Sequence, residues 1–230
     1  MARDRAQVRR EEILAAAVGE FAARGIAGTR ATDVAKALGV SSGLIFYHFE
    51  SKDHLIAEAF VFVVERGLES LRRIVADPGP PMERMVRALR LYGPDEELTG
   101  WRVWVDGWSA ALRNDALRDA IVRLNDAWEA AFLTVVQDGV DAGVFRPRDP
   151  GLAVSIIIAT LDGTAVQAVI RGANERMRVR HHASLDAIAD ALRLRDDDRA
   201  TLLALSDEEP GSAVREGGRA ARRPGGTLSS

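Results

Sequence analysis

The sequence predicts an all-α protein: an N-terminal three-helix unit containing a helix-turn-helix, followed by a C-terminal helical bundle. Three observations lead there. Apolar residues recur three and four apart along most of the chain, and beyond Pro81 no useful length alternates apolar with polar as a half-buried strand would. Clusters of Pro and Gly, above all Asp77-Pro78-Gly79-Pro80-Pro81, punctuate the periodic segments. The stretch from Ala31 to Lys52, ATDVAKALGVSSGLIFYHFESK, is punctuated as two short helices meeting at a sharp angle.

The elements follow in order. Ile13, Leu14, Ala17, Val18, Phe21 and Ala22 share one face of a first helix that starts near Gln7 and stops at Gly25. Thr32 is placed to cap a second helix, which buries Val34, Ala35 and Leu38 and ends at Gly39, where a left-handed residue is needed. Ser41 caps a third. Its periodicity sends Ile45, Phe46 and Phe49 to the core and leaves Gly43, Leu44, Tyr47 and His48 outside. Ser51 caps a long fourth helix through Leu55, Ile56, Ala59, Phe60, Val63, Val64 and Leu68 to about Val75. Further helices are read over 82–92, 96–112, 116–142, 150–171 and 184–193, with a link over 172–180. From 206 onward the chain is rich in Gly, Ser, Pro and charge, and a disordered tail over 206–230 is expected. The domain division is drawn at 7–67 and 80–205.

Composition excludes several classes of function. Without a single Cys, disulfides, thiolate catalysis and Cys-based zinc sites all fall away. The N-terminus is charged, and the apolar runs read as too interrupted to cross a bilayer, so a cytoplasmic location with no membrane partner is expected. A net charge of -3 argues against coating nucleic acid by bulk attraction, yet Arg3, Arg5, Arg9, Arg10, Arg30, Lys36 and Lys52 gather in the first quarter. Glu11, Glu12, Glu20 and Asp33 dilute that end. No catalytic residues are proposed, because His48 and Asp53 are isolated and Ser41, Ser42 and Ser51 sit at or beside helix caps. No metal or cofactor is expected either, since adjacent His181 and His182 would point about 100° apart on a helix and make poor joint ligands.

An exposed Tyr-His pair on a short helix needs a reason. Ser, Gly, Tyr and His on one face permit close approach to a major groove, with the hydroxyl and imidazole reaching phosphates or base edges. Lys52, at the start of a helix whose amides already favour anions, adds a phosphate-seeking charge. Two ordinary short helices in an all-α protein would show the same bare Ala-x-x-x-Gly spacing, so that reading stays open on spacing alone.

The run TDVAKALGVSSGLIFYHFESKDHLIAEAF resembles the DNA-binding signature of TetR-type transcriptional regulators, with Tyr47, His48, Phe49 and Lys52 on its Tyr-His-Phe and Lys positions. The likeness extends upstream over RREEILAAAVGEFAARGIAGTRATDVA. It implies DNA contacts from Arg30, Thr32, Ser42, Gly43, Leu44, Tyr47, His48 and Lys52 on double-stranded, roughly palindromic DNA. It also implies a homodimer formed through the last two long helices, with Ile157, Leu161, Asp162, Ile188 and Leu192 as candidate interface residues. The segment GVDAGVFRPRDPGLAVSIIIATLDGTAVQAVI is similar to the effector-domain ending of the choline-responsive betaine-pathway repressors, although no ligand residues carry over with it.

Trp101, Trp104 and Trp108 fall on one helix face, and Trp128 follows on the next helix; together they are the candidate pocket for a small-molecule effector. A stripe of this kind serves equally well as plain core. The expected function is that of a ligand-released homodimeric repressor. A ligand-responsive activator is the alternative, since nothing in the sequence says whether binding blocks or recruits polymerase. A non-DNA-binding all-α interaction protein is the more distant one.

Overall fold

The computed structural model describes residues 2–93, 98–172 and 174–204, among which there are ten helices and no strands. The N-terminal unit is α1 (Ala2–Arg24), α2 (Ala31–Leu38) and α3 (Ser42–His48), and α4 (Lys52–Val75) leads out of it. The remainder comprises α5 (Pro81–Tyr92), α6 (Thr99–Ala111), α7 (Asp115–Asp141), α8 (Pro150–Arg171), α9 (Glu175–Leu192) and α10 (Asp196–Leu203). The predicted tail over 206–230 lies outside the described residues.

One apolar cluster joins both ends of the fold. Ile13, Ala17 and Phe21 of α1 pack with Ile45 and Phe49, and the cluster continues through Phe60 and Leu68 of α4 to Phe132 and Val136 of α7. Long α4 and α7 lie along one another as its spine. Arg84, almost fully buried, ties three helices together: its Nη1 donates to the Val75 carbonyl (3.1 Å) and to Asp138 Oδ2 (2.7 Å). Burying that guanidinium is tolerable because a carboxylate and a carbonyl accept from it.

Several elements differ from the sequence reading. Helix α2 starts one residue before Thr32, with Arg30 at its N-cap and no side-chain cap; Asp33 in the first turn offers a negative charge there instead. Phe46, expected in the core, is 50% exposed, because a seven-residue helix standing on Ile45 and Phe49 turns the intervening ring outward. Helix α9 begins at Glu175 rather than near 184, and the expected link over 172–180 shrinks accordingly. Asn174 Oδ1 accepts from Met177 N (3.2 Å) to cap it, and buried Met177 anchors its first turn. The Arg and His residues between Met177 and Ser184 hide that periodicity. Helix α10 was missed; Arg199 holds it by bonding Asp186 and Asp190 of α9.

Helix α8 is 22 residues long and apolar enough to cross a membrane by length and composition, against the expectation that no run would be. In this fold it packs on α7, α9 and α6, which accounts for its apolar surface on that side.

Candidate nucleic-acid interface and the aromatic cluster behind it

Helix α3 is held by its two ends. Ser41 Oγ accepts from Leu44 N (3.3 Å) at the start, and Ile45 and Phe49 are sunk in the core. Before it, Gly39 adopts φ 66°, the left-handed turn that swings the chain from α2 into α3, and Val40 N closes on the Ala35 carbonyl at 2.9 Å. The face opposite the anchors therefore presents Gly43, Phe46 and Tyr47, flanked by half-buried Ser42, Leu44 and His48. Tyr47 is 80% exposed, and its ring meets His48 edge-on at 5.2 Å.

The other expected contacts lie around this helix. Arg30 and Thr32 are exposed at the head of α2, and Lys52 is exposed in the first turn of α4, where Ser51 Oγ accepts from His54 N (3.1 Å). Not all of the N-terminal basic residues share in this surface. Arg10 is paired with Glu58 and sits over the Phe49 ring, 4.8 Å from its centroid, so it braces α1 against α3 and α4. Arg9 pairs with Glu12 along α1. Sequence reasoning missed Phe46 as a surface residue; only the burial of Ile45 and Phe49 shows which way it points.

Beyond α4 the four tryptophans meet. Tyr92 is the hub: its ring lies 5.4 Å from Trp101, 5.0 Å from Trp128 and 5.6 Å from Phe132, each edge to face. Trp108 joins Trp101 at 6.1 Å and Trp104 at 5.9 Å, while Trp104 meets Phe60 of α4 edge-on at 5.2 Å. Trp101 Nε1 donates to the Tyr92 carbonyl (3.1 Å), whereas the Nε1 of buried Trp128 has no hydrogen-bond partner among the described residues. Tyr92 is in no expected site and Asp162 is expected only at a dimer interface, since no local pattern in the chain could pair residues 70 positions apart. The Tyr92 hydroxyl donates to Asp162 Oδ1 at 2.7 Å. Burial raises both groups above their ordinary pKa values, the Tyr92 phenol further by facing the Asp162 carboxylate, and the Asp162 carboxyl despite the bond it accepts.

The residues expected at a dimer interface are placed differently. Ile157, Leu161, Ile188 and Leu192 are fully buried within the single chain, and Asp162 turns in to Tyr92. A side chain with no exposed surface cannot touch a partner, so these residues fasten α8 and α9 to the chain's own core. A buried bond between the Thr164 and Ser184 hydroxyls (2.6 Å) completes that seam. The outer side of the same two helices carries a shallow groove of about 430 Å³ lined by small and polar residues, among them Ala159, Gly163, Gln167, Arg180 and Ala183.

His181, one of the pair read as poor metal ligands, stands beside Gly93 at the end of α5, and its buried Nδ1 has no partner among the described residues. Burial, and secondarily His182, hold its imidazole below its ordinary pKa. The unfolded chain takes up this proton near pH 6.5 whereas the folded one resists it, so the unfolded state binds more protons and stability falls as pH drops below about 6.5. Substituting His181→Gln flattens that loss. Melting curves at neutral and mildly acid pH check this: an unchanged difference in melting temperature between the two pH values counts against it. Asp162, with its raised pKa, works in the opposite sense in both proteins and cancels from the comparison.

Comparison with known proteins agrees with this layout. Residues 13–59 match the family model for bacterial regulatory proteins of the tetR family, and residues 81–193 match the C-terminal model of BetI-type transcriptional repressors. The HTH-type transcriptional regulator BetI of Stenotrophomonas maltophilia is 30% identical over 122 residues, which cover 52% of this chain and 62% of that protein, just under two thirds of its length. The HTH-type transcriptional repressor KstR2 of Mycolicibacterium smegmatis is 26% identical over 140 residues, covering 60% of this chain and 68% of that one. Among solved structures, a transcriptional regulator from Saccharomonospora viridis in complex with choline superposes with a TM-score of 0.69 at 27% identity, over 79% of this chain and 96% of that one. With a helix-turn-helix at one end, a BetI-type helical domain at the other and regulators as relatives, the chain belongs to the TetR family of DNA-binding transcriptional regulators.

Proposed function

We propose that the protein is a homodimeric repressor whose release from a roughly palindromic operator is driven by a small quaternary ammonium effector of the choline type. The division into a reading unit over 7–67 and an effector and dimerisation unit over 80–205 belongs to the same proposal. One observation carries the effector assignment: Tyr92, whose hydroxyl bonds the Asp162 carboxyl, meets the rings of Trp101 and Trp128. Aromatic faces attract a cation by about 0.5 to 2 kcal/mol each, and a desolvated carboxylate beside them supplies the counter-charge. The choline-bound relative from Saccharomonospora viridis supports the same chemistry.

The raised pKa of Asp162 adds a signature. A cation stabilises the ionised carboxylate, so effector binding expels a proton and tightens as pH rises through the pKa of Asp162. On the DNA side, Tyr47, His48, Arg30, Thr32 and Lys52 reach phosphates and base edges around Ser42, Gly43 and Leu44, and the apolar ring of Phe46 suits a thymine methyl. The second copy docks on the outer faces of α8 and α9, where Ala159, Gly163 and Ala183 permit close helix approach.

The test is a thermal-shift titration with choline against its uncharged carbon isostere, 3,3-dimethylbutanol. At 100 times its dissociation constant, choline adds about 2.7 kcal/mol to the stability, while the isostere and an Asp162→Asn variant show much smaller shifts. A band-shift of operator DNA then shows release at the same choline concentration. Equal shifts from choline and the isostere, or binding without release, would overturn the proposal.

A further inference from the structure

We infer that Asp106 is the positioning residue through which helix α6 and the DNA-reading unit feel one another, by holding the turn between α1 and α2. The inference rests on the DNA-binding reading but not on the identity of the effector.

The contact is specific. The Ile26 amide donates to Asp106 Oδ2 at 2.5 Å, a bond that joins residues 80 positions apart. The turn receiving it is stiff: Gly25 stands at φ 73°, Thr29 Oγ1 donates to the Gly25 carbonyl (2.9 Å), and Ile26 and Thr29 are each 1% exposed. Even a β-carbon on Gly25 would come within 3.2 Å of the Asp106 carboxylate, so the turn lies hard against it. Arg30, the N-cap of α2, follows directly, and α2 carries α3.

The rest of α6 is tied elsewhere. At 100° per residue, Asp106 lies about 140° around the helix from Trp101, so the reading unit and the aromatic cluster grip nearly opposite sides of one rod. Trp101 bonds to Tyr92, and Trp104 packs on Phe60 of α4. Any rotation or slide of α6 is therefore imposed on the Gly25–Thr29 turn through Asp106, and a displacement of that turn is returned to the tryptophans. Coupling of this kind is reciprocal: whatever DNA does to the reading unit must appear in α6.

That reciprocity provides a test needing no effector. All four tryptophans of the chain, Trp101, Trp104, Trp108 and Trp128, lie in α6 and α7, and none precedes residue 101. A duplex selected from random DNA by the wild-type full chain is titrated into the protein. Anisotropy of the labelled duplex reads binding, and tryptophan emission reads α6. In wild type the emission changes along the same saturation curve as the anisotropy. In Asp106→Ala most of the emission change at DNA saturation is lost, and Asp106→Asn, which keeps an acceptor oxygen at the same reach, restores it. Should the Ala variant fail to fold, Asp106→Glu replaces it, since its oxygen is displaced by one methylene and the emission change falls. An emission change equal to wild type in the Ala or Glu variant at DNA saturation, or no change in a wild-type protein that binds the duplex, overturns the inference. Failure to select any duplex instead overturns the DNA-binding reading on which it stands.

Discussion

Replacing Tyr47 by Ala lowers operator affinity roughly five- to 150-fold and leaves the melting temperature nearly where it was. The first effect follows from the loss of a groove contact, about 1–3 kcal/mol where the contact is a good one. The second follows from exposure: Tyr47 is 80% exposed, and surface substitutions ordinarily stay within about 0.5 kcal/mol. Phe49, two residues further on, makes the contrast. It is 1% exposed, and Phe49→Ala costs about 3–5 kcal/mol and removes DNA binding by unfolding the reading unit. Lys52→Ala is different again, because a phosphate contact carries no sequence information; it weakens binding to all sequences alike and reduces the salt slope by about one. Binding isotherms at several salt concentrations, paired with melting curves, separate the three behaviours. An unchanged operator affinity in Tyr47→Ala would mean that α3 does not enter the groove by this face.

Substituting Gly107→Ala destabilises the protein and disturbs the seat of α4 against α6. Where the new β-carbon would stand, Phe60 Cε2 is only 2.3 Å away, and that ring is fully buried on α4. Alanine favours a helix interior over glycine by about 1 kcal/mol, but overpacking a filled core costs about 1–3 kcal/mol or more, and a gap this short puts the clash at the upper end. A net loss of roughly 1–2 kcal/mol lowers the melting temperature by about 2–8 °C for a chain of this size. Because Phe60 also packs on Trp104, relief of the clash moves α6 away from α4, and operator affinity falls along with stability. A melting temperature at or above wild type would show that Phe60 moves aside at no cost and that the α4–α6 contact is loose.

The helices of the reading unit were legible because their signals are local. Gly39, Ser41 and Ser51 act on neighbours within a turn of chain, and the helix they start or stop is the same in any surroundings. The candidate DNA contacts rest on the same local signals and lie within the segment that matches the family model, 13–59. The misreadings share the opposite cause. Phe46 and Ile45 are adjacent and both apolar, and only the direction in which α3 is anchored decides which is buried. Helix α8 is apolar on several faces, so its periodicity cannot say which of them the chain's own core fills; Ile157 and Leu161 turned inward, and small residues such as Ala159 and Gly163 were left outside. The polar run at the start of α9 concealed its first turns, which the Asn174 cap and buried Met177 hold in place.

By itself the sequence determined an all-α chain with a helix-turn-helix, its caps and turns, the family it belongs to and an aromatic stripe on one helix. These depend on contacts between residues a few positions apart, whose energies are set before the chain is compact. Only the tertiary structure decided what the stripe is joined to: Tyr92 to Asp162 across 70 residues, and Asp106 to Ile26 across 80. Such bonds are made when packed helices happen to bring two groups within about 3 Å, at a distance and angle that no local pattern encodes. In this protein they bind the aromatic cluster on one side and the turn between α1 and α2 on the other.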